Sequence, residues 1–339
     1  MFVRNRSSFV TALARGNVSE STAVGAVIVR TEHRINKGRL ERSEEPLALN
    51  STNPPDVSRI ALWLGVSVTA AGEVYGPASA PFTRSAIFTI GSVARRLQVF
   101  GDRRWRRTLL GELAASEPQP FERMTLSFAR AFGGSIDVPP GLFPGTDLPF
   151  PGGRLGYVAN PGGVGFHFDQ AAAEGSLLPN VELADQLILK WDARPDPGGF
   201  SPCRELPALR ISPMVAPAKM DTSGRTRAGL AETAELDHEI TQAFRALHHA
   251  PGYLIFDDLP PGTSLQLEGV GRRSIRFEVP APPVVVGVYR GRRRDDVSPH
   301  IRSIHVNADH ETVACAYGYS FQYDQNQAPS WISVEPSTS

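Results

Sequence analysis

The chain has 339 residues, 41% of them hydrophobic, and its 35 basic and 35 acidic side chains cancel. That size supports two ordinary domains or one large β domain with a real core. The balanced charge sets up no long-range field to gather nucleic acid or an anionic membrane surface, and no apolar run approaches membrane-spanning length.

The 31 glycines and 29 prolines favour short strands joined by turns over a helical bundle. Cys203 and Cys315 are the only cysteines, too few for a disulfide framework, so two reduced thiols in a reducing compartment are expected. No uninterrupted apolar segment follows Arg4 and Arg6, so the sequence predicts no signal peptide and a cytoplasmic location.

Residues 1–20 are polar and weakly patterned. Ala23–Val29 is a continuous run rich in β-branched residues, which predicts a buried strand. Leu62, Leu64, Val66 and Val68 alternate with Trp63, Gly65, Ser67 and Thr69, the pattern of a strand with one face in the core. Ala86–Ile90 and Leu97–Phe100 flank Gly91-Ser92 and predict a hairpin.

Met124, Leu126 and Phe128 alternate with Thr125, Ser127 and Ala129, and the same phase carries Arg130 inward. An inward guanidinium needs a partner, and Asp102 is the candidate; the alternative is that Arg130 emerges into water at a sheet edge. Residues 138–165 read as a long Gly/Pro-rich loop. The turn-rich stretch Pro195–Pro202 divides the chain into a β-rich region 1–195 and a second β-rich region 196–339. Residues 213–226 read as exposed and flexible.

Leu236, Ile240, Ala243, Phe244 and Leu247 recur at helical spacing until Pro251-Gly252, predicting one amphipathic helix near 230–249. Strands are expected again at Tyr253–Phe256, Leu265–Val270, Ile275–Val279, Val284–Tyr289, Ile301–Val306 and Thr312–Phe321, with a frayed tail from Gln325. The fold class is therefore mainly β: antiparallel sandwich or barrel-like lobes with long Gly/Pro-rich loops and one amphipathic helix.

Common catalytic signatures are missing. There is no phosphate loop, Gly163-Val164-Gly165 lacks the third glycine of a dinucleotide fingerprint, and no nucleophile elbow occurs. His238-Glu239 begins like a zinc-protease motif, but Gln242 stands where the second histidine belongs. His305, Asp309 and His310 are a conceivable metal set, set against the plainer reading of a strand end running into a turn. Arg292-Arg293-Arg294 is followed at once by Asp295-Asp296 and reads as a solvated hairpin tip. Arg103-Arg104 and Arg106-Arg107 around Trp105 read equally as a partner-binding surface or as charges that block a sheet edge.

One ordered series of motifs remains: Val99-Phe100-Gly101-Asp102-Arg103 with Trp105; Phe121, Met124, Leu126, Phe128 and Arg130-Ala131-Phe132-Gly133-Gly134; Asn160-Pro161-Gly162-Gly163-Val164-Gly165-Phe166; Leu178-Pro179-Asn180-Val181-Glu182; and Gly199-Phe200-Ser201-Pro202. Together with Ala250-Pro251, they resemble the type VI secretion effector adaptor family, long labelled only as a domain of unknown function. The resemblance runs from Ala23 to Tyr319. It departs over 213–249, at His248-His249 where an Asn-containing motif is usual, and at the loose pair Gly162-Gly163.

What the resemblance implies is a non-enzymatic accessory protein of a contractile injection machine. Such a protein holds an effector through its N-terminal region or spike-tip domain and helps load it onto the spike. Phe100, Gly101, Asp102, Arg103, Arg130, Gly133, Gly134, Asn160, Pro161 and Asn180 would then brace the structure, and Trp105 with Arg104, Arg106 and Arg107 would be the candidate partner-binding surface. No catalytic residue, metal, cofactor, nucleic acid or membrane is expected. The alternatives are a structural component of the injection apparatus or a metal-dependent hydrolase using the C-terminal histidines.

Overall fold

The computed structural model describes residues 3–17, 22–43, 65–80, 82–137, 154–157, 159–202, 250–324, 326 and 328–337. The chain opens with β1 (Val3–Asn5), β2 (Val10–Asn17), β3 (Thr22–Asn36), β4 (Arg39–Arg42), β5 (Val66–Ala71) and β6 (Glu73–Tyr75). The hairpin of β7 (Thr83–Ile90) and β8 (Val93–Phe100) follows. Short strands come next: β9 (Trp105–Arg107), β10 (Leu113–Ala115), β11 (Arg123–Thr125), β12 (Phe132–Gly133), β13 (Ser135–Asp137), β14 (Arg154–Gly156), β15 (Val164–Gly165) and β16 (Val181–Leu183). The last third holds β17 (Ile255–Phe256), β18 (Ser264–Glu268), β19 (Ile275–Glu278), β20 (Val284–Arg290), β21 (Arg293–Val297), β22 (His300–Asn307), β23 (Thr312–Asp324) and β24 (Trp331–Pro336). One α-helical turn, α1 (Gln170–Ala173), is capped by Asp169, whose carboxylate accepts from the Ala172 N–H at 2.7 Å.

Three sheets carry the architecture. The largest runs β17-β5-β22-β23-β3-β2, with β4 added to β3; the second runs β16-β8-β7-β18-β19; the third runs β1-β24-β20-β21. Each mixes strands from before and after residue 195, so the regions 1–195 and 196–339 share sheets and a core. The mainly β, sandwich-like expectation holds, and no sheet closes into a barrel among the described residues.

Period-two alternation explains the layering. Val66, Val68 and Ala70 of β5, Ile304 and Val306 of β22, and Val313, Cys315 and Tyr317 of β23 point one way. They pack on Ala86, Phe88, Ile90, Leu97, Val99, Leu265 and Leu267 of the second sheet. Further along the same two long strands, Val27 and Val29 of β3 and Phe321 of β23 pack on Val284, Val286, Val288, Ile332 and Val334 of the third sheet. Cys315 is a buried free thiol, and burial pushes its pKa up to about 12.

Several expectations change. The hairpin at Gly91-Ser92 is present, but its strands pair from Thr83 to Phe100, with Gly91 at φ +58° as a two-residue turn needs. β5 is covered on both faces, because Ser67 and Thr69 are buried along with Val66 and Val68. The Met124–Phe132 strand is interrupted: β11 ends at Thr125, and a 3-10 turn over Phe128–Arg130 rotates the chain before β12. The end of the predicted 138–165 loop holds β14 and β15, paired with β13 and β12. The tail is no frayed end, since β24 lies inside the third sheet with Ile332 and Val334 fully buried. The weakly patterned N-terminus supplies β1 and β2.

The predicted helix 230–249, the stretch 213–226, and Leu62, Trp63, Leu64 and Cys203 lie outside the described residues. Among the described residues, no helix is long and apolar enough to cross a membrane.

Phe88 is the test of the sandwich. It is fully buried and meets the edge of Phe200 with ring centroids 5.6 Å apart. Phe88→Ala should remove about 3–5 kcal/mol of stability, read as a lower urea midpoint at unchanged slope.

Candidate functional site

The motif residues converge where the chain leaves β8. Phe100 is the last residue of β8, and Gly101, Asp102 and Arg103 form the turn that leads to β9. Gly101 passes so close to residue 119 that a Cβ would fall 1.7 Å from the Gln119 carbonyl oxygen, so only glycine fits. The Gln119 N–H donates to the Asp102 carbonyl at 3.0 Å and fixes the approach.

Arg103, not Arg130, is the buried arginine. Its side chain is 7% exposed and lies against Glu182 of β16, which is 1% exposed. Nη2 donates to both a Glu182 carboxylate oxygen and the Pro179 carbonyl, the latter at 2.8 Å. The guanidinium also stacks 3.6 Å from the centre of the Phe100 ring. The second Glu182 oxygen accepts from the Ile188 N–H at 2.9 Å. Burial raises the Glu182 carboxyl pKa, and the attraction of Arg103 and the Ile188 N–H do not fully offset it.

Asp102 and Arg130 do come together, but through Asn180. Asn180 Nδ2 donates to Asp102 Oδ1 at 2.9 Å, and Asn180 Oδ1 accepts from Arg130 Nη1 at 3.2 Å. Its N–H donates to the Arg130 carbonyl at 2.9 Å, and its carbonyl accepts from the Phe100 N–H at 2.8 Å. The inward strand arginine is thus corrected: the 3-10 turn at Phe128–Arg130 rotates Arg130 to the exposed surface.

Asn160 performs a similar task for the next motif. Its Nδ2 donates to the carbonyls of Phe128 at 2.7 Å and Phe132 at 3.0 Å. Its carbonyl accepts from the Gly134 N–H at 2.9 Å. Gly133, at φ +148°, brings its backbone so near that a Cβ would lie 2.0 Å from that carbonyl oxygen. Pro161 packs on the backbone of Gly156, where an added Cβ would lie 3.0 Å from the proline Cβ.

Trp105 is 1% exposed and packs with Leu113, Phe132, Ala173, Leu178 and Ile188, so the indole is a core residue and not a surface anchor. Alternation along β9 sets this: with Trp105 inward, Arg104 and Arg106 face out. Arg104 Nη1 donates to the Gly175 carbonyl at 2.8 Å, and exposed Arg107 pairs with Glu174 at 2.6 Å.

The other candidate residues do not converge among the described residues. His305 Nδ1 lies 2.9 Å from the Thr69 hydroxyl, whereas Asp309 accepts from the Glu73 N–H at 3.4 Å and His310 is exposed. Among the described residues, no three His, Cys, Asp or Glu side chains are grouped to hold a metal. His238 and Glu239 lie outside the described residues. Arg292 sits at the β20–β21 turn, while Arg293 and Arg294 pair with Asp295 and Asp296, as a solvated hairpin tip requires.

No motif points to Ser176 and His167, whose Oγ and Nε2 lie 2.8 Å apart. The Ser176 hydroxyl donates to the Ala173 carbonyl at 2.6 Å, so the imidazole must donate to Oγ, the reverse of a base activating a nucleophile. A surface cleft of about 430 Å³, lined by Arg95, Arg96, Asp185, Gln186, Asp196 and Tyr253, includes none of the motif residues.

These features define a β scaffold whose distinctive residues fasten turns to one another. Residues 25–317 match the model of a bacterial family described as an uncharacterized protein conserved in bacteria (DUF2169), and the chain belongs to that family. No curated protein matches the chain, and no solved structure does.

Glu182→Gln should leave the Arg103 charge buried without its counter-ion and cost about 3–5 kcal/mol in chemical denaturation. The double variant Arg103→Met, Glu182→Leu should recover most of that loss. Burial, with Arg30 nearby, lowers the His305 pKa to about 4. The unfolded chain therefore takes the proton first as pH falls below the ordinary histidine value. His305 leaves stability intact above about pH 6.5 and withdraws about 3 kcal/mol by pH 4. His305→Gln should flatten that segment of a plot of unfolding free energy against pH.

Proposed function

We propose that this protein is a non-enzymatic adaptor that grips a toxic effector of a type VI secretion machine in the cytoplasm and helps load it onto the spike. The observation that carries the reading is the fate of Asp102, Arg103 and Arg130. These are the chemically most versatile side chains of the motif series, and all three are tied into the framework through Asn180 and Glu182. A protein that works by holding a client needs rigid braces behind its contact surface, and these residues supply them. The ordered motifs from Val99 to Pro202 support the assignment to the adaptor family, and an uncharacterized bacterial family is compatible with it.

The effector's N-terminal region or spike-tip domain and the spike proteins are the proposed partners. No cofactor takes part in this reading. The test is genetic and biochemical. Deleting this gene should abolish secretion of the toxin encoded beside it while other spike-borne cargo still leaves the cell, and the purified protein should bind that toxin saturably. Normal secretion of the toxin from the deletion strain overturns the reading.

A further inference from the structure

Among the described residues, the exposed large hydrophobic side chains are Leu109, Leu110, Leu177, Leu187 and Leu189. All five lie in the part of the chain that folds around Trp105. Leu109 and Leu110, at the tip between β9 and β10, stand out furthest, at 106% and 91% exposure.

Hydrogen bonds close this tip. The Thr108 N–H donates to the Glu112 carbonyl at 2.8 Å and the Gly111 N–H to the Thr108 carbonyl at 3.0 Å. The Gly111 carbonyl accepts from Arg107 Nη1 at 3.0 Å and from Gln170 Nε2 at 3.2 Å. Two leucines held on a fixed turn lose little conformational freedom when they are covered, which is the condition for an efficient contact.

The charge around them has one sign in excess. Trp105 and Leu113 point inward, so Arg104, Arg106 and Ala114 form the outer face of the ribbon, joined by Leu177 through its bridge to Arg104. Arg107 is neutralised by Glu174. Arg104 meets only a neutral carbonyl, and Arg106 makes no ion pair among the described residues. Among the described residues, Glu112, the other carboxylate at the tip, makes no ion pair with Arg104 or Arg106.

We propose that the β9–β10 ribbon docks a protein segment carrying apolar side chains flanked by carboxylates; this deepens the adaptor reading and rests on it only in taking that segment to belong to the effector. The leucines cover the apolar side chains, and Arg104 and Arg106 meet the acidic groups. A second copy of the chain is a poor occupant, because a two-fold contact would set guanidiniums against guanidiniums.

Immobilised synthetic peptides test it: a Leu-Leu core flanked by Glu, the same core flanked by Lys, and a Ser-Ser core flanked by Glu. The full-length protein should prefer the first. Leu109→Ser with Leu110→Ser, and separately Arg106→Glu, should each weaken that binding about tenfold or more, at an unchanged melting temperature because every changed residue is exposed. Equal binding to the three peptides, or variants that bind like the parent, overturns the proposal. Self-association abolished by the leucine variant also overturns it, in favour of an interface between copies. If toxin secretion depends on this gene but the peptides show no preference, the docking face falls and the adaptor reading stands. If the preference and its loss hold while secretion is independent of the gene, the reverse follows.

Discussion

A single buried ion pair organises the region that distinguishes this chain. Arg103 and Glu182 bind the turn after β8 to β16, and the remaining bonds of each reach the Pro179 carbonyl and the Ile188 N–H. An arginine taken out of water is tolerated only where a carboxylate and further acceptors surround it. Wherever Glu182 goes, the exit of β8 must follow, and with it the start of the Trp105 ribbon.

Around that pair, two asparagines act as branched connectors. Asn180 ties its own segment to two others that are distant in sequence, one through Phe100 and Asp102 and one through Arg130. Asn160 holds both ends of the Phe128–Phe132 turn. A side-chain amide carries a donor and an acceptor at fixed separation, so it can substitute for backbone pairing where strands are too short to form a ladder. β12, β15 and the bridge from Ala131 to Val181 are such short pieces. The glycines of the motifs work with them: they let one backbone approach another within the reach of an amide.

Much of this was legible in the sequence. Alternation and apolar runs located β5 beyond Gly65, the β7–β8 hairpin, and β18, β19, β20, β22 and β23, because each has a strongly apolar face; β21, whose Arg293-Arg294-Asp295-Asp296 run carries no such face, reads as a hairpin tip and pairs with β20 all the same. What failed did so for local reasons. Met124, Leu126 and Phe128 keep the period of a strand although the chain turns at Phe128, since a 3-10 turn begun in phase cannot be told from a strand by apolar spacing alone. Trp105 among four arginines looked like a surface cluster, yet the same alternation that exposes Arg104 and Arg106 must bury the residue between them. Glu182 was visible only as the end of a motif, and nothing local says that its partner lies near residue 103. The alternation Ile332, Ser333, Val334 near the C-terminus was a usable strand signal that the terminal position obscured.

The two longest strands have a mechanical consequence. β3 and β23 stay paired from Thr22–Asp324 to Arg34–Thr312, and this one ladder packs the second sheet near one end and the third sheet near the other. No flexible connector interrupts it. A pull along these strands therefore loads a whole row of hydrogen bonds together, whereas a pull across them would open the row from one end. Along that direction the paired strands behave as a stiff beam, with no hinge among their residues between the second sheet and the third.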